Sequence, residues 1–169
     1  MGWRSNFDSS AKYYFSTGIP NQAANGDALH IVLPDTNEYS FKLVSGIWKP
    51  VLPRANPNLT GAVIWDQYRT DLDVALTLTS DSVELRAESG EKYTYDLEGR
   101  LVKIVYPTGY SQFLFYSGKF NTKVTDSFGR TMTLEYWADV SKVGLLKSAT
   151  VTDGKKFSFD YINHSYVTG

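Results

Sequence analysis

The sequence predicts an all-β chain, an antiparallel sheet of tandem β-hairpins that is strongly twisted or curved. Three observations carry this. Apolar and polar residues alternate with period two in segment after segment, as a strand with one wet face requires. The clearest segments follow a glycine at a constant offset. Aromatic residues make up 15 % of the chain, with 12 Tyr and 9 Phe, an enrichment that suits pleated, half-buried surfaces.

Taken in order, residues 1–70 are the less regular part. Tyr13-Tyr14-Phe15, Leu29 to Leu33 and Ala62 to Trp65 read as short strands. Glu38-Tyr39-Ser40-Phe41-Lys42-Leu43 alternates cleanly. Five of the six prolines fall between positions 20 and 57. The stretch from Lys49 to Leu59, with Pro50, Pro53 and Pro57, therefore reads as a loop or an edge, because proline cannot donate to a ladder. Val74, Leu76 and Leu78 then face Val83 and Leu85 across Ser80-Asp81-Ser82, a hairpin.

From there the chain repeats one frame, with apolar positions three, five and seven residues after a turn residue. From Gly90 these are Tyr93, Tyr95 and Leu97. From Gly129 they are Met132, Leu134 and Tyr136. From Gly154 they are Phe157, Phe159 and Tyr161. From Gly109 they are Gln112, Leu114 and Tyr116, an imperfect copy whose other face carries Phe113 and Phe115. An early copy starts at Thr36 and gives Tyr39, Phe41 and Leu43. There Pro34-Asp35-Thr36 matches Pro107-Thr108-Gly109, so Thr36 stands where the others have Gly. A second strand closes the unit, with Leu101, Ile104 and Tyr106 before Gly109 and Leu146, Ala149 and Val151 before Gly154. Starts at 90, 109, 129 and 154 describe a tandem array. Trp137 to Lys142 is an insertion in it. Glycine suits these positions because tight hairpin turns need φ > 0. Asp153-Gly154 is the strongest hairpin signal, and Glu98-Gly99 and Ser117-Gly118 are weaker ones. The chain reads as one domain, 1–169, with an irregular β portion over 1–70 and hairpin repeats over 71–169.

Bulk properties narrow the function. With 169 residues the chain can bury a respectable core. Its 17 basic and 18 acidic residues leave a net charge of −1, which lacks the basic footprint of a nucleic-acid binder. No apolar run is long enough to span a bilayer, and no signal segment opens the sequence. There is no cysteine, so disulfides, thiolate catalysis and Cys-ligated zinc are excluded.

Two stretches carry a recognisable pattern. Tyr93-Thr94-Tyr95-Asp96-Leu97-Glu98-Gly99-Arg100-Leu101 resembles the YD repeat of the RHS (rearrangement hot spot) proteins. Thr125 to Tyr136, with Asp126-Ser127-Phe128-Gly129-Arg130, is similar to the second common version of that unit. The opening Gly2-Trp3-Arg4-Ser5-Asn6-Phe7-Asp8 is similar to the segment that begins many bacterial RHS repeat regions. The resemblance implies an antiparallel sheet that spirals into a shell around another polypeptide, often a toxin, as in toxin-complex shells and teneurins. It implies containment, delivery or adhesion rather than chemistry, and an exported or cell-surface location. The expected partners are further repeats or domains of a longer polypeptide, or a cargo protein, without a cofactor. Three departures stand beside this. About five repeat-like units are too few to close a large shell. No Asp-Pro occurs, so the family's self-cleavage motif is missing. No distinct toxin domain is recognisable in the sequence up to Gly169. A piece of a longer protein and a short stand-alone member both fit.

The candidate chemistry is sparse. His30 sits in a strand and reads as an ordinary strand position. His164 reads as terminal loop, and nothing in the sequence suggests a catalytic triad. Asp66, Asp71 and Asp73 cluster, but without EF-hand spacing they read as a solvated loop. Tyr93, Tyr95, Tyr110, Phe113, Phe115 and Tyr116 form an aromatic set suited to core packing. Tyr110, Phe113 and Phe115 are the contacts a sugar or protein partner would use. Asn58-Leu59-Thr60 and Asn163-His164-Ser165 match the glycosylation pattern by chance. Arg100 and Arg130 are expected to bridge strands or cap turns, for example with Asp96 or Glu135. The expectation is a binding or structural module and not an enzyme, with carbohydrate binding or adhesion as the alternative.

Overall fold

The structure, a computed structural model, describes residues 7, 9–18, 22–55, 63–138 and 144–161. Every regular element among them is a β-strand, and the strands form two antiparallel sheets, of five and of nine strands. The chain divides into two compact units, residues 1–111 and 112–169. The compositional change near residue 70 lies inside the first. The opening RHS-like segment up to Asn6, the insertion core at 139–143, His164 and both Asn-x-Ser/Thr sites lie outside the described residues.

In the first unit, β1 (Ser10–Tyr14), β2 (Ala28–Val32), β3 (Glu38–Val44), β4 (Ile47–Ala55) and β5 (Val63–Tyr68) follow one another as the five-stranded sheet. Then come β6 (Ala75–Leu78), β7 (Ser82–Arg86), β8 (Lys92–Asp96) and β9 (Leu101–Val105). Period-two alternation turns one face of each strand inward. Leu29, Ile31, Phe41 and Leu43 of the first sheet and Val83, Leu85, Tyr95, Leu101 and Ile104 of the second are buried. The β6–β7 pairing sets Leu76 opposite Leu85 and Leu78 opposite Val83. Edge strand β1 is tied to the β8–β9 turn. The Ala11 N–H donates to the Gly99 carbonyl at 2.9 Å, and Ser10 bridges Arg100.

The described part of the proline-bearing stretch, residues 49–55, is not a loop or an edge, and Pro57 lies outside the described residues. That part belongs to β4, with β3 on one side and β5 on the other. The two prolines inside it sit where a ladder tolerates them. Pro50 pairs with Phe41, and its carbonyl accepts from the Arg69 N–H at 2.9 Å, just past the end of β5. The donor it lacks would face the same residue, Arg69, so the ladder loses only its last rung, past the end of β5. Pro53 falls in a register shift between Leu52 and Arg54, a bulge where a missing N–H costs little.

The turn residue of the repeat frame has one hydrogen-bond pattern. The Gly129 N–H donates to the Asp126 carbonyl (3.1 Å), and the Asp126 N–H to the Arg130 carbonyl (2.9 Å). The same two bonds close the turns ending at Gly90, Gly99, Gly109 and Gly154, and at Thr36. This is a three-residue loop whose last residue must take φ > 0. The five glycines do so, and so does Thr36, at φ 72°. A β-branched residue in the left-handed region costs about 1–2 kcal/mol. Thr36→Gly is therefore expected to raise stability by roughly 0.5–1 kcal/mol, the relief exceeding the added freedom of the unfolded chain. A urea midpoint that stays put or falls would contradict this.

The second unit's strands are β10 (Ser111–Ser117), β11 (Phe120–Asp126), β12 (Thr131–Tyr136), β13 (Leu146–Val151) and β14 (Lys156–Ser158). Gly118 carries the positive φ of the tight β10–β11 turn. The register aligns Leu114, Val124, Met132 and Val151 on one face, with Leu134, Ala149 and Phe157 beside them. Leu114, Val124, Leu134 and Ala149 are buried. Phe157, on the last strand, is 57 % exposed.

Candidate functional site

The signature residues Asp96, Gly99 and Arg100 form a capped turn. The Asp96 carboxylate accepts from the backbone N–H of Glu98 (3.0 Å) and Arg100 (2.9 Å), and from Arg100 Nε (2.7 Å). Asp126, Gly129 and Arg130 repeat this, with the Asp126 carboxylate accepting from Phe128 N (2.9 Å), Arg130 N (3.0 Å) and Arg130 Nε (2.6 Å). One carboxylate thus satisfies two amides that the turn leaves free, and a guanidinium fork holds it there. That is the physical content of Asp-x-x-Gly-Arg. Arg130 pairs with Asp126, not with Glu135, which binds Lys156 (3.1 Å) and Ser148 (2.7 Å) instead. Two of the turns without the leading Asp use another device. Asp35 and Asp153, one residue before the positive-φ position, accept from the N–H of Asn37 and Lys155, each at 3.0 Å.

Burial works against the Asp126 charge, yet the Arg130 bonds and the two backbone N–H groups outweigh it and hold the carboxyl below the usual 3.8. A depressed carboxylate adds stability above its unfolded pKa and loses it as pH falls through the folded value. Asp126→Asn is thus expected to lower the unfolding midpoint at neutral pH, with the gap to the parent closing toward about pH 2. A gap of equal size at both pH values would contradict that.

Tyr95 is fully buried. Ser9 Oγ donates to the Val32 carbonyl (2.6 Å) and accepts from the Tyr95 hydroxyl (2.7 Å). The Tyr13 hydroxyl donates to the Asp96 carbonyl at 2.6 Å. Tyr93 is half-buried, and burial, with Glu91 and Asp35 nearby, pushes its hydroxyl up to about 12. Leu101 starts β9 in the core, while Leu97 lies in the turn. Tyr136 donates to the Asn121 carbonyl (2.9 Å) and its ring lies 4.8 Å from Phe120. Phe159 is exposed beside Phe157, and the Tyr161 hydroxyl donates to the Leu146 carbonyl (2.9 Å).

Tyr110 is half-buried against Tyr106, with ring centroids 5.4 Å apart. Phe113 and Phe115 stand exposed on the outer face of β10, and Lys123 Nζ lies 4.4 Å from the Phe115 ring centroid.

The three clustered aspartates part company. Asp66 pairs with Arg54, Asp71 with Arg69 and Asp73 with Arg86. Among the described residues no group of three or more His, Cys, Asp or Glu could hold a metal ion. One juxtaposition was not legible from the sequence: His30 Nδ1 lies 2.8 Å from Ser40 Oγ, and His30 Nε2 lies 3.7 Å from Glu38. Ser40 is only 5 % exposed and its backbone lies mid-sheet, paired with His30 and Val51. A nucleophilic serine needs access and free oxyanion donors; this one has a packed, cross-strand hydrogen bond. No protein-family model matches the chain, and no curated protein matches it.

Proposed function

We propose that this chain is a non-catalytic repeat module of the RHS/YD kind, part of a sheet wall or scaffold that encloses or presents a polypeptide, exported or at a cell surface. One observation carries the reading. The Asp-x-x-Gly-Arg turns at Asp96 and Asp126 share the same bonds atom for atom, while the apolar row of the second unit ends on an exposed Phe157. A repeating strand array with one apolar face has to cover it with something. A photo-crosslinking amino acid at position 157, introduced in the cells that make the protein, is expected to give one defined polypeptide adduct. The same group at Phe128, an exposed turn tip, should give none. Absence of an adduct at 157, or identical adducts at both positions, would refute the reading.

A second reading, a carbohydrate-binding or adhesion module, draws on the exposed Phe113 and Phe115. Saturable binding to a neutral glycan that is lost in Phe113→Ala would favour it.

A further inference from the structure

The face of the five-stranded sheet that carries Tyr14 gathers cations. Directly paired residues in an antiparallel ladder point to the same side. Tyr14 pairs with Ala28, Ala28 with Lys42 and Lys42 with Lys49, so these four form one rank across β1 to β4. Lys12, His30, Ser40, Val51 and Tyr68 form the next rank. Ala28, Ser40 and Val51 are buried and make the floor, Lys12, Lys49 and Tyr68 are exposed, and Tyr14, 39 % exposed, has its ring 5.3 Å from that of Trp65 on β5. Lys12 Nζ lies 5.1 Å from the Tyr14 ring centroid and Lys49 Nζ 6.0 Å from that of Tyr68. The rings hold the ammonium groups in place without neutralising them. Among the described residues none of Lys12, Lys42 and Lys49 has an ion-pair partner. The two carboxylates on this face are engaged at its rim, Glu38 facing His30 at 3.7 Å and Asp66 bonded to Arg54 at 2.6 Å. Lys42 is near enough to help Arg54 hold Asp66 below the usual range.

We propose that this face binds an anionic polysaccharide of the uronate type, with Lys12, Lys42 and Lys49 taking carboxylates and Tyr14 and Tyr68 lying against sugar rings. Charge complementarity selects an anion. The position in the sheet selects a glycan over an acidic peptide. A peptide adds to a sheet through free backbone at an edge, whereas Lys42 and Lys49 lie on β3 and β4, whose backbone is paired on both sides. A polysaccharide needs only the side chains. The proposal does not depend on the wall reading.

The test is calorimetry of the full chain with polygalacturonate, with fully methyl-esterified polygalacturonate and with poly-L-glutamate. Binding is expected to the free acid alone and to weaken as salt rises. The triple variant Lys12→Gln, Lys42→Gln, Lys49→Gln should weaken it about ten-fold or more. Removing the charge of Lys119, Lys155 and Lys156 in the second unit should leave it unchanged. Tyr14→Ala should weaken the uronate complex with the lysines intact, and circular dichroism would verify folding of each variant. No saturable binding, equal loss in both triple variants, or poly-L-glutamate bound as tightly as the uronate would overturn the proposal.

Discussion

Gly99→Ala is expected to cost roughly 3 kcal/mol or more, among the largest losses available to a single added methyl in this chain. Two penalties add. Gly99 has φ 81°, where an L side chain costs about 1–2 kcal/mol. A Cβ built there would also lie 2.0 Å from the Ala11 carbonyl oxygen, a backbone atom that cannot swing aside. Relief would require moving β1 away from the β8–β9 turn, breaking the Ala11 to Gly99 hydrogen bond and the Ser10–Arg100 bridge. Gly109 is the control. Its φ is 85°, but nothing lies within 4 Å of an added Cβ, so Gly109→Ala should cost only the conformational part, about 1–2 kcal/mol. Urea unfolding followed by tryptophan fluorescence would separate the two, since Trp48 and Trp65 report on the first unit. Equal midpoints for the two variants would mean that the contact at Gly99 carries no weight.

The same turn shows how far the sequence could be read. Its glycine, its Asp and its Arg stand in an order that local physics explains, because the loop closes within five residues. The alternation at Tyr39-Phe41-Leu43 and Tyr93-Tyr95 is equally local, and so is the match of Thr36 to the glycine positions. Features that depend on register between distant segments were not legible. Ala11 meets Gly99 across 88 positions of sequence. Lys12, Lys42 and Lys49 share a face only because the ladders from β1 to β4 set them there. The Lys49-to-Leu59 stretch misled for a related reason. Proline reports that a donor is missing, but not whether a neighbouring strand reaches far enough to need it. At Pro50 β5 has already ended. For the same reason the aspartates at 66, 71 and 73, close in sequence, belong to three separate ion pairs.

Tyr95→Ala is the second large expected effect, about 3–5 kcal/mol, the usual cost of removing a buried ring and leaving a cavity. The residue has no exposed surface, pairs with Val83 on β7 and Leu101 on β9, and its hydroxyl reaches Ser9, just ahead of β1. Tyr95→Phe isolates the hydroxyl. It keeps the ring and removes the donor to Ser9 Oγ, whose own bond to the Val32 carbonyl survives. The expected loss is about 1 kcal/mol. Ser9→Ala should cost more than Tyr95→Phe, because it removes the donor to the Val32 carbonyl as well as the bond to the Tyr95 hydroxyl. The double variant Tyr95→Phe, Ser9→Ala should then cost less than the two singles added together, by about 0.5 kcal/mol or more. Strict additivity would show that the YD tyrosine is held by its ring alone. A coupling of the expected sign would show that its hydroxyl, too, fastens the repeat sheet to the segment ahead of β1.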